Sequence, residues 1–424
     1  MRKKDLDYSL QAIETLAVLP PQLSAPFCIY NLTLVVKTII QTPSIRRVAQ
    51  KDFLKENPIF FLMERSGHNP AELSSAFPEI SVEEIILMLR DNRLGLRRTV
   101  ERFGYLGIRE CRSEYFNINK NGNRSNGRNS VVSDDGYQVH CYGGSTTVGQ
   151  NVADDQTISA FLELRLRKRL NVNVFNFGAG NHTSLHSSLR LLDHVLSGNI
   201  PDLAIFLNGF NDCSYAAGGS DGILKFLDQV LEGSQEPKGR ASKLEDFVGL
   251  IPEGSSTTTN IQTTNYEDDD YLLNVVRTHY ATSVSIQNFV AENFGVKVLR
   301  FIEPTPYLHC RTEQFLLPRI SSGNIRFELV KRLYHLIGSH GCAKVFGGAN
   351  LVSLVDIGQD RTSYPLYVDE AHFSPKFNEL IADKMSAHVA FSHRDIARKR
   401  KKLKSKEIGG ILEDVIDPYN YPLF

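Results

Sequence analysis

The feature that most constrains this chain is an alternation that begins at residue 137. Apolar runs of strand length take turns with amphipathic stretches of helical period. Residues 137–142 read as a strand that ends at Gly143-Gly144. Ile158, Phe161, Leu162, Leu166 and Leu170 then form a helical stripe, and 172–177 is a second strand before Gly178-Ala179-Gly180. Leu185, Leu189, Leu192, Val195 and Leu196 give another helix face. Leu203-Ala204-Ile205-Phe206-Leu207 is a continuous apolar run, the pattern of a parallel strand covered on both faces. Helices near 273–294 and 325–336, strands at 296–302 and 351–355, and a last helix after Pro375 complete the series. Strands separated by helix-length crossovers predict an α/β fold, a doubly wound parallel sheet flanked by helices, with right-handed connections. No shorter repeat period is superimposed on it.

The remaining segments differ in texture. The first 120 residues read as helical pieces, with Val82, Ile85, Ile86, Leu89 and Leu94 near helical spacing and Asp91-Asn92 interrupting them. They predict a mainly helical N-terminal extension, 1–120, that either packs on the rest or offers a partner surface. Residues 121–136 are rich in Asn, Gly and Ser and read as a linker to the α/β domain, 137–392. An insertion is expected at about 214–270, where Gly, Ser and Thr clusters surround one helix near 223–231 and lead to the acidic run Glu267-Asp268-Asp269-Asp270. The tail, 393–424, holds Arg398-Lys399-Arg400-Lys401-Lys402-Leu403-Lys404, read first as a solvated basic run.

Composition removes several function classes. The 424 residues suffice for a large core, and 48 Lys plus Arg balance 48 Asp plus Glu, so no whole-chain basic excess points to nucleic acid. Six cysteines lie scattered without a CxxC pair, which fits reduced thiols rather than a zinc ribbon or a disulfide framework. No uninterrupted apolar segment follows the charged start. The best membrane candidate, 25–40, carries Asn31 and Lys37 and is shorter than the roughly 20 residues a span needs. No transmembrane segment and a cytoplasmic location are expected, a compartment in which the sequons at Asn31 and Asn181 are inert.

Four short segments carry chemistry, each where a strand gives way to a helix or a turn. Gly143-Gly144-Ser145-Thr146-Thr147 is a tight strand-to-helix turn that can expose Ser145 at the sheet edge. Gly178-Ala179-Gly180-Asn181-His182-Thr183-Ser184 enters a helix and can offer backbone N–H groups to an anion, or simply cap the helix. Asn208-Gly209-Phe210-Asn211-Asp212 closes the most apolar strand, at the crevice where open α/β sheets bind ligands; Asn211 is either an amide donor or an Asx turn. In Asp369-Glu370-Ala371-His372 the carboxylate can reach the ring Nδ1 three residues on, leaving Nε2 as a base.

The ordered set resembles the SGNH (GDSL-type) family of esterases, lipases and acyl hydrolases over roughly 137–388. Gly144 stands where most members have aspartate, which is closer to a GGS-type bacterial subset. Asn181 replaces a usual glycine, and Phe377 replaces another. The Glu303-Pro304-Thr305-Pro306 segment resembles the Pro-containing loop of bacterial members. The resemblance implies a flavodoxin-like sheet and a triad of Ser145, His372 and Asp369. It also implies an oxyanion hole from the Ser145 N–H, the Gly180 or Asn181 N–H and the Asn211 side chain, with no cofactor and no metal. The substrate it implies is a small-molecule or carbohydrate acyl ester. Two alternatives stay open: transfer of the acyl group to an alcohol, and a catalytically inactive binding or scaffold protein. His182 and His186, four apart, are a possible metal pair without a third ligand nearby. Cys141 and Cys213 flank the site and read as small buried residues.

Overall fold

Every residue of 203–208 is buried, and a strand with no face to give to water must sit inside a sheet covered on both sides. The computed structural model places it at the centre of one. The structure describes residues 73–101, 103, 105–127, 132–133, 136–216, 269–309, 325–346, 351–358, 364–369 and 371–391. The chain divides into two units, Met1–Arg65 and Ser66–Phe424, and all of these residues belong to the second. The expectations for 25–40, the helix near 223–231 and the basic tail lie outside the described residues.

Among the described helices are α1 (Val82–Gly95), α2 (Ser145–Val148), α3 (Ile158–Arg167), α4 (Ser184–Leu196), α5 (Phe210–Ala216), α6 (Asp269–Phe294), α7 (Ile325–His340) and α8 (Pro375–His388), with two short ones at Pro306–His309 and Cys342–Phe346. The strands are β1 (Arg98–Val100), β2 (Leu106–Ile108), β3 (Tyr137–Gly143), β4 (Val172–Asn176), β5 (Leu203–Asn208), β6 (Lys297–Ile302) and β7 (Leu351–Ser353). Several helix starts are written in the sequence. Ser81 and Glu84 form a capping box for α1, Thr157 caps α3, and Ser374 caps α8 with Pro375 in its first position.

β3 to β7 form one parallel sheet in the order β4-β3-β5-β6-β7. Alternation along β5 assigns its side chains to two cores. Leu203, Ile205 and Leu207 join Val139 and Cys141 under α3 and α8, while Ala204 and Phe206 join Tyr142 under α4 and α6. α3 packs along α8 and α4 along α6, which closes both faces. The predicted doubly wound sheet is therefore the observed one. Because the chain leaves β4 on one side of β3 and returns as β5 on the other, the crevice beyond the C-terminal ends of β3 and β5 is the switch point of the sheet.

Ahead of the sheet the described chain is not helical throughout. After α1, β1 and β2 pair antiparallel from Arg98↔Ile108 to Val100↔Leu106. Strands of three residues alternate too briefly to be read against a helical background. Asp91-Asn92 does not interrupt α1 either: both residues lie inside the helix and are buried. Among the described residues no helix is long and apolar enough to cross a membrane.

Candidate active site

β3 delivers the chain to the switch point and Gly144 turns it. Gly144 is extended, with φ −82 and ψ −154, and α2 begins at the next residue, half-buried Ser145. As the first helical residue, Ser145 has a backbone N–H with no intrahelical acceptor. α2 lasts one turn and stops at Gly149, whose φ of 74 is left-handed. Arg124, fully buried, holds the loop that follows. Its Nη1 donates to the carbonyls of Val148 (2.6 Å) and Gly149, Nη2 to that of Val152 (2.7 Å), and Nε pairs with Asp154 at 3.0 Å. Arg124 lies in the stretch read as a linker. Asn126 of the same stretch donates to Glu163 and to the Val174 carbonyl, both at 2.8 Å.

The second and third segments meet the first at Gly144. Asn211, in the first turn of α5, donates its Nδ2 to the His182 carbonyl at 2.9 Å. A Cβ on residue 144 would stand 2.6 Å from that Nδ2 and 3.3 Å from the His182 oxygen, so glycine is needed for this close approach. Asn181 has φ 65, a left-handed conformation that asparagine tolerates better than most residues. The turn is held by Ala179 N–H to Gly143 O (3.0 Å) and His182 N–H to Ala179 O (3.2 Å), while the N–H groups of Gly180 and Asn181 donate to no described residue. Asp212 ties the two segments together by accepting the Ser184 N–H (3.1 Å) and hydroxyl (2.5 Å), and burial pushes its carboxyl up to about 6.

The fourth segment is closed on itself. Asp369 Oδ1 accepts the N–H groups of Ala371 (2.9 Å) and His372 (2.8 Å). The His372 Nδ1 sits 2.8 Å from Oδ1 and 2.6 Å from Oδ2. Burial pushes the Asp369 carboxyl up, but the His372 charge, the ring hydrogen bond and the two backbone donors outweigh it and hold the group well below the usual carboxylate range. Phe377 is buried edge-on against Tyr367 and Phe373 at 5.2 Å each, and so anchors the histidine's loop to α8.

The loop after Ser145 and the loop of His372 touch through Asn151, whose Nδ2 donates to Asp369 Oδ2 at 2.7 Å. With Nδ1 turned to the carboxylate, Nε2 is the basic nitrogen, and it is buried without a hydrogen-bond partner among the described residues. No hydrogen bond from Ser145 Oγ reaches it in this structure.

One participant lies outside the four segments. Glu303, buried at the C-terminal end of β6, accepts the Thr146 hydroxyl on Oε2 (2.5 Å) and the Phe210 N–H on Oε1 (2.9 Å). It joins the first turns of α2 and α5, the helices that carry Ser145 and Asn211. Burial pushes its carboxyl up to about 7 against the pull of those two donors. In the sequence Glu303 is only the first residue of a Pro-rich turn; the signal available was a carboxylate closing an apolar strand.

The histidine pair and the cysteines have other partners. His182 Nε2 meets the Leu106 carbonyl, His186 Nδ1 meets the Thr183 hydroxyl at 2.9 Å, and the two rings stack at 5.5 Å. Among the described residues no group of three His, Cys, Asp or Glu side chains is arranged to hold a metal. Cys141 and Cys213 are buried, which pushes the first thiol up to about 12 and the second well above its ordinary value.

No family model matches the chain, and no curated protein matches it in sequence. Solved structures do. A lipolytic protein of the G-D-S-L family from Desulfitobacterium hafniense is 15% identical, with a TM-score of 0.32 over 60% of this chain and 99% of its own. The acetyl xylan esterase AlAXEase is 17% identical, with a TM-score of 0.32 over 60% of this chain and 100% of its own. Est24, a carbohydrate acetylesterase from Sinorhizobium meliloti, is 17% identical, with a TM-score of 0.31 over 59% of this chain and 99% of its own. Similarity of this degree leaves open what this chain acts on.

Proposed function

We propose that the chain is a serine ester hydrolase of the SGNH kind, with a GGS-type first segment and Ser145, His372 and Asp369 as its triad. The observation that carries this reading is the Asp369–His372 pair. Its ring is fixed by the carboxylate, its Nε2 has no partner among the described residues, and Asn151 links it to the loop that leaves Ser145.

The chemistry follows from these positions. Ser145 Oγ attacks the carbonyl carbon of an ester, its proton passes to His372 Nε2, and the carbonyl electron pair moves onto oxygen. That oxyanion is met by the N–H of Ser145, the N–H of Gly180 or Asn181, and the second Nδ2 hydrogen of Asn211, the first being committed to His182. Collapse breaks the bond to the alcohol, which departs with the proton from Nε2. Water then attacks the acyl-enzyme with His372 as base again, the acid leaves, and Ser145 regains its hydrogen. Asp369 stays ionised throughout and stabilises the imidazolium. The Ser145–His372 hydrogen bond belongs to the substrate complex, where such contacts tighten. The bond cleaved is a carboxylic ester, an O-acetyl or other short O-acyl group on a carbohydrate or small metabolite.

The test is stoichiometric labelling with a fluorophosphonate followed by peptide mapping, with Ser145→Ala as control. One adduct on Ser145, absent from the variant, is expected, together with turnover of short acyl esters that the variant lacks. A folded protein that takes no label, or a Ser145→Ala variant that keeps its turnover, overturns the reading.

A further inference from the structure

We infer that Asn151 is a positioning residue for the His372–Asp369 pair, held in place by Asn92 of α1, so that the segment ahead of the sheet is part of the working site. The inference rests on the triad proposed above and adds residues that none of the four segments contains.

Asp369 divides its two oxygens unequally. Oδ1 takes both backbone donors of its own loop, from Ala371 and His372, and both oxygens face the imidazole. Only Oδ2 looks outward to another element, and there it accepts Asn151 Nδ2 at 2.7 Å, a contact between residues 218 apart in sequence. Loss of that donor removes the hydrogen bond by which another described element holds the carboxylate, and leaves Asp369 and the ring tied to their own loop alone. The aim of Nε2 at Ser145 is then set only by the packing of the loop on α8.

Asn151 is itself fixed by a second asparagine. Its φ of 71 is left-handed, and its N–H donates to Asn92 Oδ1 at 3.1 Å. Asn92 Nδ2 donates to the carbonyl of the next residue, Val152, at 2.9 Å, and to Met88 O of its own helix at 3.0 Å. One buried amide thus grips both sides of the loop by an acceptor and a donor, which neither aspartate nor leucine reproduces. This accounts for Asn92 in the apolar stripe of α1. The line Asn92–Asn151–Asp369–His372 runs from that helix to the base.

The experiment uses the full chain. Asn151→Gly deletes the donor while keeping the left-handed backbone at no steric cost, and Asn151→Asp keeps the shape and a tolerated φ while turning an acceptor toward Asp369. Both are expected to lower kcat on a short acyl ester, and the rate of fluorophosphonate labelling, by roughly 10- to 100-fold, the scale of a small misplacement of a catalytic group. KM should stay within about 2-fold, because nothing that holds the substrate has changed. The downfield proton resonance of the hydrogen-bonded His372 Nδ1–H should shift or broaden, a signature that lost stability alone does not produce. If either folded variant keeps wild-type kcat, labelling rate and resonance, the positioning role is refuted while the triad stands. If the wild type itself takes no label, the triad reading fails first, and the two failures are told apart.

Discussion

Glu303→Gln isolates one buried carboxyl whose charge state the fold controls. In the folded chain burial raises it from 4.5 to about 7, so between those values the folded protein holds a proton that the unfolded chain has released. The sign follows: stability is greatest below about pH 4.5 and is lost as the pH rises through about 7, because the unfolded state ionises freely and the folded state does not. Integrated from pH 5 to pH 8, this one group removes about 2 to 3 kcal/mol. Glutamine has the same shape and no charge. Its Oε1 can accept the Phe210 N–H and its Nε2 can donate to the Thr146 oxygen, so both contacts survive. Asp212, raised to about 6 with the same sign, is present in both proteins and largely cancels. Urea unfolding followed by circular dichroism at pH 5 and pH 8, at one ionic strength, gives the comparison. The stability of Glu303→Gln relative to wild type should rise by about 2 to 3 kcal/mol between the two pH values. A difference that stays constant, or moves the other way, would refute the claim that the folded chain carries Glu303 as a neutral acid at pH 5.

Two other substitutions probe different parts of the same edge. Asn211→Ala should lower kcat by roughly 10²–10³ on a short acyl ester, with the unfolding transition little changed, as expected for loss of one oxyanion donor; an unaltered kcat would remove Asn211 from that role. Arg124→Leu leaves Asp154 buried without its cation, with only the uncharged Asn117 donors, and the carbonyls of Val148, Gly149 and Val152 without that guanidinium. It should cost about 3–5 kcal/mol by urea unfolding, and a loss below about 1 kcal/mol would show that the loop holds itself.

The sheet was legible because three of its strands, β3, β4 and β5, are largely buried and end at Gly143, Asn176 and Asn208, a pattern local in sequence. Within the candidate site, Ser145, Asn181, Asn211 and His372 stand at strand ends or helix starts, where turn chemistry marks them. The residues that sequence reading missed have no local mark. Asn92 reads as a fault in an apolar stripe, since its two loop partners are supplied from 151 and 152. Arg124 stands among Asn, Gly and Ser, a composition that reports turns and says nothing of the carbonyls awaiting a guanidinium. Asn151 has meaning only through an acceptor 218 residues away. The β1–β2 pair was missed because three residues do not establish a period.

The vacancy at Gly144, where a side chain would meet Asn211, couples two positions. A side chain at 144 cannot be accommodated with the amide of residue 211 left where it is. The Asn211 amide has to turn aside to admit it, which breaks its bond to the His182 carbonyl, so the effects of substitutions at 144 and 211 will not add. A side chain at 144 therefore acts first on the aim of the Asn211 amide.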